Sequence, residues 1–135
     1  MKLIEEPDEF PPCRYRVALT VGDHSPRHLR RIARSYLRLW SMPQLTDVVE
    51  LVLTEMVTNV YRHVPDRWCT VTLLRTDEGV RIEVYDRSPA APAHRFADEW
   101  DETGRGLALI SQLTDKWEVL PEAVGKLTCC ELKAD

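Results

Sequence analysis

The chain has no apolar run long enough to cross a bilayer, and its opening residues, "MKLIEEPDEF", have no apolar core of the secretory kind. No membrane is therefore expected, and a cytoplasmic location is the default. No CxxC pair occurs among Cys13, Cys69, Cys129 and Cys130. Adjacent Cys129 and Cys130 point to opposite faces of a strand, which argues against a shared metal. Buried free thiols in a reducing compartment are the expectation. Positive charge is not in excess either: 18 Lys and Arg stand against 22 Asp and Glu, a net of -4. The one arginine-dense stretch, "RHLRRIAR", reads as the solvated face of a helix, so nucleic acid is not an expected partner. There is no internal repeat.

What is present is a 44% hydrophobic, 30% charged chain of 135 residues, the profile of one soluble domain with a proper core. Residues 1 to 12, acidic and proline-bearing, read as a flexible N-terminal arm ahead of a single domain at 13–135. "CRYRVALTV" alternates as a strand, with Cys13, Tyr15, Val17, Leu19 and Val21 on one side. "SPRHLRRIARSYLRLW" opens with Ser25 as N-cap and Pro26 at the first helical position, then places Leu29, Ile32, Ala33, Tyr36, Leu37 and Trp40 at helical spacing. A second helix runs from about Pro43 to His63 and stops before Pro65.

"CTVTLLR" and "VRIEVYD", joined by "TDEG", read as a hairpin. The proline-, alanine- and acid-rich segment at about 87–103 is long for a loop in a small domain, and such loops are often functional. "GRGLALISQLTDKW" reads as a short helix, and two strands close the chain around "PEAVG". The order β-α-α-β-β-loop-α-β-β predicts an α+β two-layer sandwich, a mixed β-sheet with helices on one face.

One feature resists a purely structural account. In "LTEMVTNVYRH" the stripe Val48, Val52, Glu55, Asn59, His63 follows helical spacing along the margin of the apolar face formed by Leu45, Val49, Met56 and Val60. Glu55 and Asn59 thus edge the buried side, apart from Glu50 and Thr54 on the expected wet back. An unpaired carboxylate there costs several kcal/mol of desolvation unless it meets a partner or a water-filled cavity. Hydration at the helix boundary is the plain alternative. Val80, Ile82 and Val84 then alternate onto one strand face, and Asp86 continues in the same phase. A strand-end aspartate starting a turn is again the plain alternative. Two acids and an amide on one helix–sheet interface suit a polar pocket better. Finally, "TGRGL", residues 103 to 107, sets Gly104 and Gly106 directly before a helix, with Arg105 between them. Free N–H groups at a helix N-terminus suit phosphate, and glycine lets a ligand approach the backbone.

Glu55-x-x-x-Asn59-x-x-x-His63, the strand ending in Asp86, the following loop and Gly104-x-Gly106 together resemble the Bergerat (GHKL) ATP-binding superfamily, which takes in gyrase B and the histidine kinases. The resemblance covers roughly residues 13 to 132, and the short chain looks most like the anti-sigma-factor serine/threonine kinases and the stand-alone actinobacterial ATP-binding proteins related to them. It implies that Asn59 holds Mg²⁺ against the triphosphate of ATP, that Glu55 is the catalytic base, and that Asp86 accepts a hydrogen bond from the adenine amino group. It implies phosphate contacts from Gly104, Arg105, Gly106 and Leu107, with 87–103 as a lid, and a place for Thr128 near the adenine. His63 ends the helix of the same motif, where the helix C-terminus favours a cation. In place of the usual D-x-G-x-G stands "DRSPA", with Ser88 and Pro89 at or near the glycine positions, and Glu102 or Thr103 stands where some kinases have a basic residue.

The function so implied is phosphorylation of a STAS-type anti-anti-sigma partner, alternating with capture of a sigma factor. The alternative is a nucleotide-gated or catalytically weak binding module that regulates a partner without phosphoryl transfer. Relatives dimerise through the sheet edge or first helix, so a homodimer is a further expectation. A detached histidine-kinase domain is disfavoured because no phospho-accepting helical hairpin accompanies it.

Overall fold

The computed structural model describes residues 2–3, 12–89 and 102–135, with side chains over residues 12–89 and 108–135. Its elements are β1 (Lys2–Leu3), β2 (Arg14–Thr20), α1 (Ser25–Leu39), a 3₁₀ turn at Pro43–Leu45, α2 (Thr46–His63), β3 (Trp68–Arg75), β4 (Gly79–Asp86), α3 (Glu102–Leu113), β5 (Lys116–Pro121) and β6 (Lys126–Lys133). The strands form one sheet in the order β1-β2-β3-β4-β6-β5.

Period-two alternation decides what each strand buries. Val17 and Leu19 of β2, Val71 and Leu73 of β3, Val80, Ile82 and Val84 of β4, and Cys130 and Leu132 of β6 are all buried in one core. The cross-strand register aligns them, with Val17 opposite Val71, Val71 opposite Val84, and Ile82 opposite Cys130. Leu29, Ala33 and Leu37 of α1 and Val49, Val52, Leu53, Met56, Val57 and Val60 of α2 close the core from above. α2 is the middle helix: it packs on β4, with α1 along one flank and α3 along the other.

The expected α+β sandwich is present, but the sheet is antiparallel throughout its described pairings rather than mixed. The reason is topological. Two helices connect β2 to β3, which returns the chain reversed. The single-helix crossover from β4 to β5 does give two strands of the same direction, but β6 inserts between them and pairs with both. Within the segment expected to be a loose arm, Lys2–Leu3 pairs with Ala18 and Val17 as an edge strand, while residues 4–11 lie outside the described residues. Ser25 does not cap α1 either. It is the first helical residue, its hydroxyl accepts from the Gly22 N–H at 2.9 Å, and His24 stands at the cap.

Glu50 and Thr54 also differ from expectation. They face α1, not water. Arg34 holds Glu50 through two nitrogens at 2.9 and 3.2 Å, and Arg30 Nη1 donates to the Thr54 hydroxyl at 3.0 Å. Part of the arginine run of α1 is therefore a clasp between two helices. Long side chains on adjacent helices reach across the seam, which a helical wheel of one helix does not display.

Candidate functional site

The α1 clasp fixes the rotation of α2. Glu55 lies one residue beyond Thr54 and Asn59 five beyond. At about 100° per residue they are turned roughly 100° and 140° away from the α1 flank, onto the flank that faces α3. Both are half-buried there, and neither has a side-chain hydrogen bond to the described residues. His63 is the last residue of the helix and is half-buried.

The chain then brings the other pieces to the same end of the molecule. From His63 it crosses a four-residue turn into β3, whose Cys69 is paired with Asp86, so the C-terminal end of α2 and the C-terminal end of β4 lie together. The C-terminal end of α3 is fixed at the opposite end of the sheet, where the Asp115 N–H donates to the Glu131 carbonyl at 2.9 Å. β5 then runs back, until Pro121 pairs with Lys126. A twelve-residue helix is about 18 Å long, which directs the N-terminus of α3 toward Asp86.

Asp86 is 3% exposed and occupies the inward phase the alternation predicts. It is not alone. Lys126 of β6, directly opposite in register, donates from Nζ to Asp86 Oδ1 at 3.0 Å, and the Ser88 N–H donates to the same oxygen at 2.8 Å. Asp86 Oδ2 has no partner among the described residues, and no fully buried side-chain oxygen among them lacks one, so Oδ2 borders accessible space. Ser88, in the place of a usual glycine, is itself buried. The neighbouring Cys69 thiol is pushed up to about 12, chiefly by burial and further by the charges of Asp86 and Asp66.

Beside the site, Asp66 accepts from the Trp68 N–H and from Arg87, and these bonds, the first above all, hold its carboxyl below the usual range. The Arg87 guanidinium also covers the Trp68 ring at 4.3 Å. The first residue of the "RSPA" segment is thereby tied to the turn after α2.

Gly104 and Gly106 lie inside the first turns of α3, which begins at Glu102, rather than before the helix. Glycine costs a helix only about 1 kcal/mol, so the helix can extend through them. The unsatisfied N–H groups of its first turn still fall at Glu102, Thr103, Gly104 and Arg105. The side chains of Arg105 and Leu107, and residues 90–101 of the segment expected at 87–103 to be a lid, lie outside the described residues. Thr128 is half-buried opposite Val84, one inward position deeper than Asp86. The residue that faces Asp86 is Lys126, which sequence reasoning missed. Its signal was available in phase: Lys126, Thr128, Cys130 and Leu132 alternate onto one face, and an inward lysine requires a carboxylate.

Gly125 makes this approach possible. Its φ is +85°, and a Cβ there would stand 2.0 Å from the Asp86 carbonyl oxygen. The turn is held from the other face as well, because the Tyr85 hydroxyl donates to the Val124 carbonyl.

A comparison with curated proteins finds no match. A family model described as histidine kinase-like ATPase domain matches residues 22–130, a span that takes in α1, α2, the Asp86 strand, α3 and most of β6. A helix margin bearing Glu55 and Asn59, a strand ending in a buried acid and a helix N-terminus directed toward it are thus features of a chain that belongs to the histidine kinase-like ATPase domains, within the GHKL superfamily.

Proposed function

We propose that the chain binds Mg-ATP between α2, the end of β4 and the start of α3, and that it is an anti-sigma-factor-type serine/threonine kinase acting on a STAS-type partner in the cytoplasm. The observation that carries the proposal is the state of Glu55 and Asn59. A carboxylate and an amide sit half-buried on a packed flank of α2, without side-chain partners among the described residues. Such groups need water or a ligand to offset their lost hydration.

The residues fit that ligand chemically. Magnesium takes a few hard oxygens and keeps waters or phosphates as its other ligands. Among the described residues no cluster of three His, Cys, Asp or Glu could hold a metal alone, so an ion here would arrive with its phosphates. Asn59 offers it an amide oxygen; when bound, the metal would neutralise the phosphate charge. Asp86 Oδ2 offers an acceptor for the adenine amino group, and the first N–H groups of α3 offer donors to phosphate.

For transfer, the partner's serine oxygen bonds to the γ-phosphorus as the bond to the β,γ-bridging oxygen breaks. ADP leaves, and the hydroxyl proton passes to Glu55. Glu55→Ala should therefore abolish phosphorylation of a STAS-type protein by radiolabelled ATP while leaving nucleotide binding within a few-fold. Transfer undiminished in that variant would remove Glu55 from the role.

A second reading is a binding module without transfer. It is favoured by "DRSPA" in place of the usual D-x-G-x-G, with Ser88 buried at or near a glycine position. Calorimetric titration of the wild type with Mg-ATP separates the two when run beside the transfer assay. Binding without transfer to any STAS-type protein selects the module, and absence of binding leaves only a nucleotide-free scaffold.

A further inference from the structure

We propose that Lys126 is a specificity-determining positioning residue: it pins the Asp86 carboxylate by one oxygen, so that the other selects an exocyclic amino group at position 6 of a purine. The inference rests on the reading of Asp86 as the acid that meets the base. Lys126 Nζ lies 3.0 Å from Oδ1, with the two side chains 8% and 5% exposed. The Ser88 N–H reaches the same oxygen at 2.8 Å. With two donors on Oδ1, only Oδ2 remains without a partner among the described residues, and it borders accessible space.

The backbone around the pair is constrained on each side. Lys126 and Asp86 are register partners, Gly125 presses the turn against the Asp86 carbonyl, and Tyr85 holds Val124 from the outer face. A carboxylate fixed in this way is an acceptor only. It accepts from the 6-amino group of adenine and opposes the lone pairs of a 6-oxo group at the same place. A buried ion pair is a poor device for stability alone, since apolar residues of similar volume often serve as well or better. A gain in selectivity accounts for such a pair beside the proposed nucleotide site.

The test compares Mg-ATP with Mg-ITP, which carries an oxo group where ATP carries the amino group. Affinities would be measured by calorimetry for the wild type, Lys126→Met and Lys126→Gln, each with a thermal melt. The wild type should prefer ATP by about tenfold or more, the scale of a hydrogen bond to a charged group. Lys126→Met should bring the ratio to within about threefold, and Lys126→Gln, which keeps a donor without the charge, should lower it by about threefold. An unchanged ratio in a folded Lys126→Met overturns the proposal and leaves the nucleotide site standing, because the lysine would then be structural. Should Lys126→Met not fold, an unchanged ratio in Lys126→Gln overturns it equally. A wild type that binds both nucleotides alike overturns it without any variant. A wild type that binds neither overturns the nucleotide reading itself, and this inference with it.

Discussion

Asp86 and Lys126 each depend on the other, because removing one leaves the desolvation of the other, nearly buried charge uncompensated. Asp86→Asn should therefore cost about 3 kcal/mol in urea unfolding at pH 7, the scale for removing one member of a buried pair. A loss near zero would mean that water already screens the pair. The cysteines give a second prediction. Burial pushes Cys69 and Cys130 from an ordinary 9.0 up to about 12. In the native chain both should resist a thiol reagent at pH 8, and react with it once the chain is unfolded. At this scale Asp86 is legible in the sequence, because Val80, Ile82, Val84 and Asp86 share one phase. The pairing with Lys126 is less so, since it joins residues 40 positions apart and depends on strand order.

Helix α2 divides its circumference into three parts: a core face, a flank clasped to α1 and a flank toward α3. The apolar stripe and the marginal position of Glu55 and Asn59 follow from period 3.6 alone. The role of Glu50 and Thr54 does not, because their partners Arg30 and Arg34 belong to another helix. If Asn59 serves a ligand rather than the fold, Asn59→Ala should leave stability unchanged or raise it by about 0.5 kcal/mol, from helix propensity. The same variant should lose Mg-ATP binding. A large loss of stability would instead make Asn59 a structural residue. The β5–β6 turn behaves in the opposite way. Gly125→Ala meets both a positive φ and the Asp86 carbonyl, so it should destabilise by more than about 1 kcal/mol and weaken nucleotide binding in parallel.

The core of the whole molecule is continuous from the sheet to all three helices. Ile82, fully buried on a strand with neighbours on both sides, should cost about 3 kcal/mol or more when cut to alanine. Alkaline pH acts on the same core. The folded chain keeps Cys69 and Cys130 protonated up to about 12, whereas the unfolded chain releases those protons from about 9. The unfolded state then binds fewer protons, so stability is intact below pH 9 and falls as pH rises from there toward 12. Denaturant midpoints measured across pH 8 to 11 should decline, and the decline should be smaller in Cys69→Ala. No helix among the described residues is long and apolar enough to cross a membrane.

Local periodicity is written in the chain, so the sequence by itself determined strands β2 to β6, the helices apart from where α3 starts, the hairpins, the marginal position of Glu55 and Asn59 and the inward phase of Asp86. Each of these follows from side chains two, three or four residues apart, distances that the backbone geometry sets directly. Only the tertiary structure decided that β6 separates β4 from β5, that Arg30 and Arg34 grip α2, and that Lys126 meets Asp86. Those outcomes depend on which elements become neighbours, and that is settled by how the apolar faces pack together, not by the spacing within any one of them.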